Sequence, residues 1–221
     1  MTGFDGRRWS VLAAICLLAA GLSACNLVTT TEPMFTAADA AGAPALREGL
    51  WASVEPDCKV DLKKPASRWP PCAEGFVIQD GMLFSQDEAS DKDQGTGFIL
   101  ASTDPRILQI KLTGEDGNAD RVGYFYLGVE PLKFDVQGRI LEFTGWPVLC
   151  GPPPPKDYKL PDGERRYGTL EPFAGMLMDE ALSDCSPADK NALAAAATET
   201  RKLDPEASGG AVSRWVRDGK N

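Results

Sequence analysis

Histidine is absent from all 221 residues. With it go the Ser-His-Asp and Cys-His catalytic arrangements, imidazole metal ligands and the side chain that titrates near neutrality. Basic surface is scarce as well: 23 Lys and Arg stand against 32 Asp and Glu, a net charge of −9. A nucleic-acid partner, which is met by a basic footprint, is therefore not expected. No serine sits in a Gly-x-Ser-x-Gly elbow, and no Gly-rich loop with a following Lys is set to cradle phosphate. No cofactor is expected, and no catalytic residue is singled out. What is present is ordinary globular composition, 43% hydrophobic and 25% charged, with enough chain to bury a real core.

The N-terminus carries the most specific pattern. Arg7 and Arg8 precede an uncharged run of sixteen residues, 9–24, shorter than the eighteen or so that span a bilayer. The run ends in Leu22-Ser23-Ala24-Cys25, which resembles the lipobox of bacterial lipoproteins. That resemblance implies cleavage before Cys25, a diacylglycerol on its thiol and acylation of the new N-terminus. Several chains anchor stably where one would not, since each buried methylene contributes roughly 0.8 kcal/mol. Residues 6–12, with Arg7-Arg8, are also similar to a twin-arginine export signal, so the export route stays open. Asn26, rather than Asp, follows Cys25; the resemblance then implies the periplasmic face of the outer membrane rather than the inner membrane. Loss of residues 1–24 removes Arg7, Arg8 and Asp5 and leaves a charge of −10.

Four further cysteines remain after Cys16 is removed with the signal and Cys25 is used by lipid: Cys58, Cys72, Cys150 and Cys185. An even number in an exported chain points to a disulfide framework with three possible connectivities. Pairing of neighbours, Cys58 with Cys72 and Cys150 with Cys185, is the expected one. Closing a loop of about fifteen residues is worth around 3 kcal/mol in the chain-entropy model. A four-thiolate zinc site is the rival, but it lacks the close Cys pairs such sites use.

Residues 25–45 are small, polar or alanine-rich and read as the lipid anchor and a flexible tether, with Met34 and Phe35 as the two residues suited to dock on the domain. Residues 46–221 read as a single β-rich domain. Short apolar runs of period two fall at 50–54, 76–79, 82–84, 97–102, 107–112, 121–128, 132–135 and 139–144, separated by turn residues. Asp80-Gly81 is the strongest hairpin signal, because a type I′ turn needs positive φ at both positions. Gly138 suits a left-handed bulge. About eight such strands argue for a mainly β fold, an antiparallel barrel or roll, since closure removes unpaired edges. Pro152 to Pro155 end the sheet, and 151–178 reads as a long Pro/Gly loop. A helix is expected over 186–203, with Ser186 as N-cap and Pro187 at N1, and residues 211–217 as a strand returning to the sheet edge.

Gly49-Leu50-Trp51 at the start of the first strand resembles the G-x-W of lipocalins and other calycin-like barrels. That resemblance implies a Trp closing the barrel floor and an apolar ligand in the interior. Asp91 and Asp93, before Gly95, loosely resemble a calcium loop, as an acidic turn over 115–120 does; a solvated hairpin tip is the plainer reading of both. Paired carboxylates leave a glycan hydrolase as a further possibility. The leading expectation is a non-enzymatic, lipid-anchored envelope lipoprotein whose acidic β-domain meets a protein partner or serves envelope structure.

Overall fold

The computed structural model describes residues 26–85, 95–113, 122–153, 171–178, 185–203 and 210–219. Eight antiparallel strands form a closed up-and-down barrel: β2 (Gly49–Val54), β3 (Ala73–Gln79), β4 (Met82–Ser85), β5 (Thr96–Ala101), β6 (Arg106–Thr113), β7 (Val122–Phe134), β8 (Ile140–Pro147) and β11 (Ala211–Arg217). Each pairs with the next in this order, and β11 closes the ring by bonding β8 on one side and β2 on the other. The short β1 (Thr29–Thr30) adds to the free edge of β7 beyond the end of β8. A separate two-stranded ribbon joins β9 (Met176–Met178) to β10 (Cys185–Pro187), and one helix follows, α1 (Lys190–Arg201).

Period-two alternation fills the interior. Trp51, Ile78, Leu100, Leu108, Ile110, Phe125, Val129, Ile140 and Phe143 form one buried cluster, with Phe76 and Trp215 packed against it. Trp51 stacks on Phe76 at 5.9 Å and meets Phe143 at 5.5 Å between ring centroids, the offset and tilted arrangements aromatic rings prefer. The chain before β2 makes the floor. Leu46 and Ala43 join the cluster, and Ile140 N–H donates to the Ala45 carbonyl at 2.8 Å. The indoles of Trp51 and Trp215 donate to the carbonyls of Arg47 and Glu48, while the Arg47 guanidinium lies 3.7 Å over the Trp215 ring.

Strand β2 is buried on both faces because the outer wall is covered too. The loop between β2 and β3, closed by the Cys58–Cys72 disulfide, lays Trp69, Val60 and Leu62 over Ala52, Val54 and Ala73. On the other side α1 presents Leu193, Ala196 and Ala197 to Ile107 and Tyr126, and Trp146 donates its indole N–H to the Ala197 carbonyl at 2.9 Å. Alanines allow this close approach. Cys150–Cys185 bonds the chain after β8 to the start of β10, so both disulfides join the neighbouring cysteines.

Three sequence expectations are corrected. The helix starts at Lys190, not at 186: Asp189 is its N-cap, accepting from the Ala192 N–H, while Ser186 and Pro187 lie in β10, paired with β9. β9 also lies within the span expected as loop. Residues 121–128 and 132–135 are one strand, β7, running through Pro131; β6 ends opposite Val129, so the proline faces no ladder partner on that side and sits at a bulge against β8. The strand expected over 211–217 is present with those bounds, and it pairs with both edges of the meander.

Residues 26–45, expected as a flexible tether, form a strap. Val28 and Phe35 are fully buried; Val28 N–H donates to Val148. The Gln109 side chain pairs with both backbone groups of Phe35 at 2.8 and 3.0 Å. A short 3-10 turn, Ala37–Ala40, is held by a Thr36–Asp39 capping box. Lys190 of α1 bonds Asp39, which with the Thr36 contacts lowers that carboxyl to about 2. The composition concealed this because two anchors and a borrowed amide suffice to dock a polar segment.

Gly49 sits at φ +125, where an added Cβ would lie 2.8 Å from the Trp215 indole nitrogen and closer still to the Arg217 carbonyl. Gly49→Ala is expected to cost about 2 kcal/mol in urea unfolding, whereas Gly97→Ala, which meets nothing within 4 Å, stays within about 0.5 kcal/mol of the parent. Equal effects of the two would contradict this packing of the floor.

Candidate functional site

The floor end of the barrel is filled, so any interior site lies at the other end, the mouth. Inward positions there follow from the register. Trp51 and Phe76 are partners inside the barrel; two residues along, Ser53 is opposite Glu74. Ser213 is the partner of Ser53 on β11 and of Phe143 on β8, and Ser85 is the partner of Phe76 on β4. Along the inner face Trp51 and Phe76 are thus succeeded by Ser53, Glu74 and Ser213, while Ser85 shares the row of Phe76.

Glu74 is half-buried, and among the described residues no cation pairs with it. Burial, and then the neighbouring charge of Glu55, push its carboxyl from the usual 4.5 up to about 7. A half-buried carboxyl raised in this way is a candidate functional position. Sequence patterning did not select it, because Glu74 is one of 32 acidic residues; counting the alternation back from Phe76 across an assumed β2–β3 pair would have placed it inside.

A concavity lies on the outer wall over β11. It encloses about 400 Å³ between the Cys58 corner and the end of α1 and is lined by Val54, Trp146 and Val212 with Arg201 and Arg214. Both arginines are engaged, Arg201 with Glu130 and Arg214 with Glu142, so the groove offers apolar surface rather than free positive charge.

The residues singled out from sequence are distributed unevenly. Cys58, Cys72, Cys150 and Cys185 are brought together as two disulfides, which leaves no thiolate set for zinc. Cys25, Asp91, Asp93 and the 115–120 turn lie outside the described residues. Among the described residues no group of three Cys, Asp or Glu side chains is placed to hold a metal ion, and no helix is long and apolar enough to cross a membrane. The exposed large apolar side chains include Leu132, Phe134 and Val136, at 50, 47 and 96% exposure, all at the tip of the β7–β8 hairpin. Searches of protein-family models, curated proteins and solved structures return no match to this chain.

The raised Glu74 carboxyl makes stability depend on pH. Between about pH 4.5 and 7 the folded chain holds a proton there that the unfolded chain has released. This contribution is fully present below 4.5 and is lost as pH rises through 7. Glu74→Gln should therefore raise stability by about 1 kcal/mol at pH 8, allowing for screening at a half-buried site, and leave it unchanged at pH 4. Urea unfolding at the two pH values measures this; the same change at both would contradict a charge-based origin.

Proposed function

We propose that the protein is a lipid-anchored lipoprotein of the bacterial cell envelope, held through Cys25 and facing the periplasm, whose β-barrel has a non-enzymatic role in meeting a protein partner. The anchor rests on the Leu22-Ser23-Ala24-Cys25 pattern behind a short apolar run. The partner-binding role rests on one structural observation: a barrel filled with aromatic and aliphatic side chains leaves its unsatisfied apolar surface outside, at the tip of the β7–β8 hairpin. Large apolar side chains left exposed close together in sequence, as Leu132, Phe134 and Val136 are, suit a protein contact surface. The acidic balance of the chain favours a partner with basic surface over anionic lipid.

A second reading, a lipocalin-like carrier, is favoured by the mouth. Ser53, Ser213 and the half-buried Glu74 lie one inward position beyond Trp51 of the Gly49-Leu50-Trp51 triplet, with Ser85 beside Phe76, an arrangement suited to a small ligand with a polar head. Solvent extraction and mass spectrometry of the purified chain separate the two, since a carrier releases a small molecule in stoichiometric amount.

Labelled palmitate is expected to enter the wild-type chain and to be lost in Cys25→Ser, with the variant recovered in the soluble periplasmic fraction. Incorporation that persists in Cys25→Ser would overturn the anchor.

A further inference from the structure

We propose that the lipid anchor holds the barrel with the corner at residues 148–151, where the chain leaves β8, turned toward the bilayer, so that the exposed Pro152 beside it meets the lipid and the β7–β8 hairpin points away from it. This rests on the lipoprotein reading of Cys25 and adds what composition did not offer, the orientation of the domain. A flexible tether of the twenty residues 26–45 would have a root-mean-square span of about 25 Å and leave the barrel free to tumble. The strap removes that freedom from its first residue. Asn26 is buried; its carbonyl accepts from Cys150 N–H at 2.8 Å and its amide donates to the Gly151 carbonyl at 2.9 Å. Leu27 bridges Leu149, and Val28 N–H donates to the Val148 carbonyl at 3.0 Å. Cys25 is one Cα–Cα step from Asn26, about 3.8 Å, so acyl chains on Cys25 enter the membrane beside this corner.

The corner's chemistry fits that contact. Residues 148–153 and the neighbouring 171–174, joined by the Phe173 N–H to Cys150 carbonyl bond, carry one charged side chain between them, Glu171. In a chain with 32 acidic residues, a single carboxylate among the described residues at the exit point limits their repulsion from anionic headgroups. The Cys150–Cys185 disulfide and the bond from Leu149 N–H to Thr200 Oγ tie the corner to β10 and α1, so the anchor holds the whole domain. β8 runs eight residues from the hairpin to the corner, about 25 Å at strand rise; the exposed tip with Val136 is therefore on the far side, facing the periplasm.

The test uses the acylated full chain in vesicles of phosphatidylethanolamine and phosphatidylglycerol at three to one, with an environment-sensitive fluorophore on Pro152→Cys or on Val136→Cys, both exposed positions. Headgroup-level spin-labelled lipid is expected to quench the Pro152 probe at least threefold more than the Val136 probe. Equal quenching, stronger quenching at Val136, or no quenching of either while the chain floats with the vesicles would overturn the docking and leave the lipoprotein reading intact. A wild-type chain that carries no acyl group and does not float would overturn both.

Discussion

Closure of the meander by β11 is the constraint on which the other features depend. A run of seven hairpin-connected strands leaves two edges whose backbone N–H and C=O groups need partners. β11 supplies both at once: Val212, Ser213 and Arg214 are paired with β2 on one side and β8 on the other. Inside the ring, alternate side chains meet and fill the floor half. Outside it, Leu50, Ala52, Val54, Ala73 and Val77 on β2 and β3, and Ile107 and Tyr126 on β6 and β7, are also buried and need cover. The Cys58–Cys72 loop and the strap with α1 provide it.

These two covers have different consequences. The disulfide loop shields the wall beside β2 and leaves a groove where it stops short of α1. The strap, in contrast, commits the N-terminal end of the described chain to the barrel wall, through backbone bonds at Asn26 and Val28 and through the Gln109 amide at Phe35. Cross-linking an unfolded chain at Cys150–Cys185 reduces its freedom and fastens the same corner. The anchor proposed at Cys25 would then act on a rigid body, and the exposed hairpin tip and the carboxylate Glu74 would take fixed positions relative to it.

Much of the fold was legible because its signals are local. Asp80 and Gly81 adopt the positive φ that the hairpin turn requires, as Gly138 does at its bulge. Period-two runs placed most strands within two residues, and the even cysteine count with neighbour pairing matched both disulfides. What was hidden depends on partners distant in sequence. The start of α1 was set by β9 pairing with Ser186 and Pro187, which outweighed a good capping sequence. Pro131 reads as a strand breaker until β6 is seen to end before it. The strap looked like a tether because its docking uses Gln109, seventy-four residues away. Glu74 is distinguished from other acids only by facing inward beside Glu55, which a linear sequence does not express.

The strap is bonded into the barrel wall at both Val28 and Phe35. Native-state hydrogen exchange of the folded domain reads this at the amides of Val28, Phe35 and Cys150, each bonded between the strap and the rest of the chain. They are predicted to be protected to the same order as Leu108 and Phe125 in the barrel wall. Exchange at unfolded-chain rates at Val28, Phe35 and Cys150, with the barrel amides still protected, would contradict it.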